Sequence, residues 1–322
     1  MKSLQEIPSL EFIKETAGRI APLIHRTPVL KSQSINNIGG AEFFFKCENF
    51  QKIGAFKMRG ASNAVALLPF EQRQKGVVTH SSGNFAQALA LSAKNFDTKA
   101  YIVMPENAPQ SKINAVRTYG AEIIPCKPTL KAREETTIKV IEKTGATFIH
   151  PYNDYHVIAG QGTAALELIE KTHSLDFILT PVGGGGLISG TALTTHYLSS
   201  STQVIAGEPA GADDAFRSFQ KGEIIPSINP NTIADGLLTS LGDKTFPIIQ
   251  KYVSEIITVE ENEIIAAMRL IWERMKIIIE PSAAVPFAAV LKNKNKFTGK
   301  RIGIILSGGN LDLPDLPFAK LG

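Results

Sequence analysis

The sequence predicts an α/β fold of two lobes with helices on both faces of mostly parallel sheets. Three observations carry this. Strand-length runs are continuously apolar instead of alternating, the mark of sheet covered on both sides. They alternate with longer helical patterns. Several of the turns that leave them are rich in Gly and Ser, and ligands of open α/β sheets sit at the carboxyl ends of strands.

Taken in order, Glu42–Cys47, Val77–His80, Ala100–Met104, Glu122–Cys126, Phe177–Thr180, Val204–Gly207, Ile256–Val259 and Ile302–Leu306 read as strands. Helical patterns cover Asn84–Lys94, Lys112–Tyr119, Lys131–Lys143, Gly160–Lys171, Leu187–Leu198 and Glu260–Lys276. The 322 residues fit about two domains at ~100–200 residues each, although no repeat and no charged or Pro/Gly-rich linker divides them. With 43% hydrophobic and 20% charged residues, the chain is neither disordered nor fibrous.

A net charge of +4 without long basic runs argues against nucleic-acid binding, and Lys292–Lys300 reads as solvated surface. Cys47 and Cys126 form no metal or redox motif and suit a reducing compartment. The N-terminal Met1–Pro8 has no apolar signal core. Phe177–Gly207 lacks charged residues over a length that could span a bilayer, yet Pro181, the glycines and the Ser/Thr clusters make it a strand, loop, helix and second strand. A soluble, cytosolic protein is expected.

Four consecutive glycines, Gly183–Gly186, follow one strand and precede a helix, leaving unobstructed N–H groups that can wrap a phosphate. Neither a Gly-x-Gly-x-x-Gly fingerprint nor a Gly-Lys-Ser/Thr ending accompanies them. His80-Ser81-Ser82-Gly83-Asn84 and Leu306-Ser307-Gly308-Gly309-Asn310 are two more such turns. Taken singly, each reads equally as a packed turn or a helix cap. Lys57 stands in Ala55-Phe56-Lys57-Met58-Arg59-Gly60. A phosphate loop without a nucleotide motif suggests pyridoxal phosphate, which needs a Schiff-base lysine, a phosphate cup and a partner for the pyridine nitrogen. Lys57, Gly183–Gly186 and Ser307 would supply one each.

Ala-Phe-Lys with Arg-Gly following, Ser-Ser-Gly-Asn, the tetraglycine loop and Ser-Gly-Gly-Asn occur here in the order found in fold-type II pyridoxal-phosphate enzymes. Ile158–Thr163 and Ile279-Glu280-Pro281-Ser282 extend the match. From about Ile20 to Leu313 the chain resembles the serine racemase and serine/threonine dehydratase group. The resemblance implies two open, twisted, mostly parallel sheets, as in the tryptophan synthase β fold. A small mobile domain of residues 76–151 would interrupt a larger cofactor-binding domain of 1–75 and 152–322. The length would leave no room for the C-terminal regulatory domain of biosynthetic threonine dehydratases.

The resemblance also implies roles. Lys57 is the cofactor lysine and general base. Phe56 flanks the ring, Asn84 binds its hydroxyl, Gly183–Gly186 bind the phosphate and Ser307 meets the pyridine nitrogen. Ser82 is the acid/base on the opposite face, and Ser81, Ser82 and Asn84 hold the substrate carboxylate. Arg133 lies near the substrate entrance. Glu208, the Ala212 carbonyl and Asp214 coordinate Mg²⁺ or Ca²⁺, although on its own that segment reads as a solvated acidic turn. Lys52 and Gln87 lie near a nucleotide-effector site. Phe85 replaces the family's usual His beside the substrate carboxylate, and Thr239 stands where racemase-type relatives often carry Ser. Tyr152 resembles the microbial dehydratase branch.

The expected activity is elimination of water from L-serine or L-threonine to a 2-oxo acid and ammonia, with serine racemisation in the same site and a homodimer as the working form. A dehydratase of 3-hydroxyaspartate is the near alternative, and a non-catalytic cofactor-binding protein the alternative of another class.

Overall fold

The structure, a computed structural model, describes residues 7–108, 110–312 and 316–318. Leu313, where the family resemblance ends, lies outside them, as do Met1–Glu6. Among the described residues the strands are β1 (Val29–Leu30), β2 (Glu42–Cys47), β3 (Val77–His80), β4 (Ala100–Pro105), β5 (Glu122–Cys126), β6 (Thr147–Phe148), β7 (Phe177–Pro181), β8 (Gln203–Pro209), β9 (Glu255–Val259) and β10 (Arg301–Leu306). They build a six-stranded sheet in the order β1-β2-β10-β7-β8-β9 and a four-stranded sheet in the order β5-β4-β3-β6. Every pairing is parallel except β1 with β2.

The two burial faces explain why the strands are largely apolar. In the larger sheet Phe43, Phe45, Leu179, Ile302 and Ile304 face the helix Pro281–Lys292, whereas Phe44, Ile178 and Ile305 face Ala164, Leu168 and Leu187 of the opposite layer. Successive side chains alternate between faces, so cover on both sides leaves few polar positions, and those present, such as Lys46, are buried. Phe43 meets Phe287 edge-on at 5.5 Å, a favoured ring geometry. In the smaller sheet Val77, Ala100 and Ile102 pack with Phe85 and Leu89, while Val78, Tyr101 and Val103 pack with Val140.

Glycines let the helices behind the larger sheet approach closely. A Cβ on Gly160 would lie 2.5 Å from the Gly60 Cα, and one on Gly190 would lie 2.5 Å from the Gly162 nitrogen. Gln161 Oε1 accepts from the Gly60 N–H at 3.2 Å, tying the helix Tyr155–Thr172 to the first turn of the helix Lys57–Ala66.

A buried ion cluster anchors that second helix. Arg59 is fully buried and forks onto Glu48 (2.7 and 2.9 Å) and Glu167 (2.8 and 2.9 Å). Lys46 donates to Glu167 at 2.5 Å and to the Thr27 carbonyl at 2.6 Å. Two bases meet two acids, and bidentate geometry supplies the partners that buried charge requires.

Some elements differ from the sequence expectation. The helix expected from Gly160 begins at Tyr155, capped by Asp154, whose carboxylate accepts from His156 and Val157. β1 and β6 are two-residue pairings with no strand-length apolar run. The helices Leu10–Ile20, Lys57–Ala66 and Pro281–Lys292 add to the helical set.

Candidate functional site

β2, β10 and β7 are neighbours, so the chain leaving them converges at one edge of the larger sheet. The Phe56 N–H donates to the Ser307 carbonyl at 3.0 Å, and Ala55 bridges Gly308. These contacts fix Lys57, the first residue of its helix, beside the turn that follows β10. Lys57 Nζ donates to the Pro151 carbonyl at 3.0 Å and lies 5.0 Å from the Phe56 ring and 5.7 Å from the Phe85 ring. Burial lowers its pKa to about 8, against the pull of the Glu280 carboxylate.

Phe85 belongs to the turn after β3 and the helix Asn84–Asn95, so the smaller sheet delivers Ser81–Asn84 to the lysine. Ser81 Oγ accepts from the Gly83 N–H at 3.3 Å; Ser81 and Ser82 are half-buried. The Asn84 amide donates to both Glu280 oxygens at 3.1 Å and accepts from Asn310 Nδ2 at 2.8 Å.

Gly183–Gly186 occupy the turn between β7 and the helix Gly186–Leu198. Gly185 has φ +90, left-handed backbone that favours glycine. At a helix start the N–H groups have no intrahelical acceptor. A Cβ at Gly184 would lie 2.5 Å from the Tyr152 ring, and one at Gly183 would lie 2.9 Å from the Leu237 Cα, so only glycine permits these approaches. Burial raises the Tyr152 phenol, with the Thr239 hydroxyl easing its charge; Thr239 is itself exposed.

The residues fit a pyridoxal phosphate. Ser307 Oγ is buried, in a residue 2% exposed, and has no hydrogen-bond partner, an orphan that a ring nitrogen would satisfy. A half-buried lysine without a carboxylate partner, a glycine turn at a helix start and an amide with one N–H to spare complete the donor set.

The remaining expected residues lie further out. Arg133, on the helix Leu130–Thr144, has a buried Nε without a partner. Burial lowers the pKa of His80; Glu134 offsets this and Arg133 adds to it, which sets Arg133 beside the residue that leads into Ser81. Glu208 caps the helix Asp214–Lys221, accepting from the Ala215 (2.8 Å) and Phe216 (2.7 Å) N–H groups. Burial pushes Glu208 up to about 9 and Asp214 up to about 6. Neither Asp214 oxygen has a hydrogen bond of good geometry, and Ser227 eases its charge only in part. Ala212 is buried in the short 3₁₀ turn between the two acids. Among the described residues no three His, Cys, Asp or Glu side chains converge as a metal site. The turn Lys52–Gly54 packs on the helix that carries Gln87. No helix among the described residues is long and apolar enough to cross a membrane.

Two site residues were given no role by the sequence reading. Glu280, 3% exposed, is pushed up to about 7 by burial. His150 is held down at about 4 by burial and the nearby His80 and Lys57; its Nδ1 accepts from the Asn153 N–H at 2.9 Å. Glu280 carried two signals, its place in the matched Ile279–Ser282 segment and an acid before Pro281 at a helix start, but the first assigned it no task and the second is an ordinary cap.

Comparison with known proteins agrees with this geometry. The chain is 54% identical over 312 residues to a serine racemase of Dictyostelium discoideum, covering 96% of each chain. It is 52% identical to a beta-hydroxyaspartate dehydratase of Paracoccus denitrificans (97% of this chain, 99% of the other). The solved structure of maize serine racemase superposes with a TM-score of 0.94 at 46% identity, covering 98% of each chain. Residues 20–308 match the model of the family described as pyridoxal-phosphate dependent enzyme. The span takes in Lys57, the glycine turn and Ser307, and the chain belongs to that family.

Proposed function

We propose that this enzyme eliminates water from a small β-hydroxy amino acid, serine first, to give a 2-oxo acid and ammonia, and that it racemises serine in the same site. The observation that carries the reading is Lys57, whose ammonium has a carbonyl but no carboxylate within hydrogen-bond reach and whose pKa near 8 makes it a competent base at neutral pH. The bound cofactor supplies an electron-withdrawing ring that stabilises negative charge at the substrate Cα. Phe56 flanks that ring. Lys57 Nζ takes the Cα proton. The Ser82 hydroxyl, from the other lobe, returns a proton to the opposite face and inverts the centre. N–H groups of Gly183–Gly186 hold the phosphate, the Asn84 amide meets the ring hydroxyl, and Ser81, Ser82 and the Asn84 main chain hold the carboxylate. Ser307 is neutral and cannot balance a protonated ring nitrogen as an aspartate would, which favours prompt departure of the β-hydroxyl, as water with the proton taken from Cα, over a long-lived carbanion. Phe85, packed toward Lys57, makes the pocket less polar than a histidine would.

Elimination of 3-hydroxyaspartate is the second reading. The buried, unpartnered Arg133 Nε supports it, as a cation suited to a second carboxylate, and so does the likeness to the Paracoccus dehydratase. Thr239, at the Tyr152 phenol, would tune the same pocket. A panel of serine, threonine and hydroxyaspartate isomers, assayed for oxo acid and inverted amino acid, separates the readings. Ser82→Ala should cut serine inversion about 100-fold or more and elimination from L-serine less than about 10-fold; equal losses would overturn the two-face assignment.

Residues 76–151, which contain the smaller sheet, are read as the mobile lobe against 1–75 and 152–322. An ion pair between Lys112 and Asp235 joins the two at the cleft. A divalent cation, Mg²⁺ or Ca²⁺, is assigned to Glu208, the Ala212 carbonyl and Asp214 on the strength of Asp214's buried, unpartnered oxygens. Mg²⁺ or Ca²⁺ should raise the melting temperature of the chelated enzyme, and no rise, or the same rise in Asp214→Asn, would refute the site. A cytosolic homodimer with a nucleotide effector near Lys52 and Gln87 completes the reading taken from the family resemblance.

A further inference from the structure

We propose that Glu280 is a positioning residue that forces the Asn84 amide to present an N–H, never its carbonyl, to the hydroxyl of the cofactor ring. An ionised carboxylate only accepts hydrogen bonds, so the group turned toward it must be the Asn84 nitrogen. Both Glu280 oxygens take that nitrogen at 3.1 Å. On the other side Asn310 Nδ2 donates to Asn84 Oδ1 at 2.8 Å and to the Ile53 carbonyl at 2.7 Å. Asn310 is thereby fixed as donor and Asn84 Oδ1 as acceptor. One Asn84 N–H remains, and its donor character favours the ring hydroxyl as its anion, the form that absorbs at longer wavelength.

The carboxylate is enclosed. Gly308 packs so tightly on it that a Cβ there would lie 2.7 Å from Oε1, and the Asn310 N–H donates to Oε2 at 3.2 Å. The charged groups acting on it are Asp235, which disfavours its ionisation, Lys112, which favours it, and Lys57, whose charge it supports. Burial holds the group near pH 7, so the acceptor is lost as pH falls through neutrality: a protonated Glu280 can donate to Asn84 Oδ1 and free the amide to turn.

The proposal rests on the reading of Asn84 as the ring contact. The test is the absorption spectrum of the holoenzyme from pH 5.5 to 8.5, beside Glu280→Gln, Glu280→Asp and Asn310→Ala. The wild type should show a long- to short-wavelength band ratio that falls as pH drops through about 7. Glu280→Gln, whose amide can donate to Asn84, should lower the ratio about tenfold or more, the scale of one hydrogen bond to a charged group, and abolish its pH dependence. Glu280→Asp should recover part of both. Asn310→Ala should also lower the ratio, so the proposal stays decidable if Glu280→Gln fails to fold. A wild-type ratio flat with pH, or unchanged ratios in Glu280→Gln and Asn310→Ala, would overturn the proposal while leaving the cofactor site intact. Absence of any long-wavelength band in the wild type would overturn the cofactor reading itself.

Discussion

Lys46 and Lys57 begin from the same difficulty and end in opposite states. Burial pulls both ammonium groups below the ordinary lysine range. Lys46 is fully buried, but Glu167 and the Thr27 carbonyl accept hydrogen bonds from it and Glu48 lies 3.9 Å away. Lys57 has a carbonyl, two aromatic rings and the influence of Glu280. One lysine is a fixed part of a charge-balanced scaffold; the other is left short of partners beside the turns that leave β3 and β10. The same helix joins the two regions, because Arg59 lies two residues after Lys57 and carries the scaffold's forked ion pairs. The balanced cluster anchors the helix, and the proposed chemistry falls to the underpartnered lysine at its start.

Breaking the scaffold should have the larger effect on stability. Arg59→Met leaves Glu48 and Glu167 buried without their main partner and should cost about 3–5 kcal/mol in urea unfolding. A loss under about 1 kcal/mol would show that the cluster anchors nothing.

Removing the reactive lysine should act in the opposite direction and more weakly. The folded pKa of Lys57, about 8, lies below that of the unfolded chain, so the unfolded state binds more protons between about 8 and 10.5. The cost of charging Lys57 is therefore complete below pH 8 and fades as pH rises toward 10.5. Lys57→Met should stabilise the cofactor-free protein by about 1–3 kcal/mol at pH 7, with the gain vanishing at high pH. Destabilisation at pH 7 would place Lys57 in the scaffold class with Lys46.

Local signals in the sequence were enough for the longer strands. β2, β3 and β5 match their expected bounds end for end, and buried Lys46 and Thr79 did not hide the apolar runs of β2 and β3. The glycine and serine turns were legible because strand ends announce them. The helix that carries Lys57 was not, since Arg59, Ser62 and Asn63 are buried polar residues in the middle of it and erase any apolar stripe. Glu280 was hidden for a related reason. Its meaning comes from Asn84 and Asn310, which are distant in sequence and meet it only through the fold. His150 gave no motif because it acts as an acceptor for the turn after it.

The most direct test of the contrast between the two lysines is to load the protein with pyridoxal phosphate, reduce the lysine linkage with borohydride and map the modified peptide by mass spectrometry, with Lys57→Ala as control. The account predicts a single label on Lys57, none on Lys46, and no label or long-wavelength band in the variant. Labelling at another lysine, or a label that survives Lys57→Ala, would contradict it.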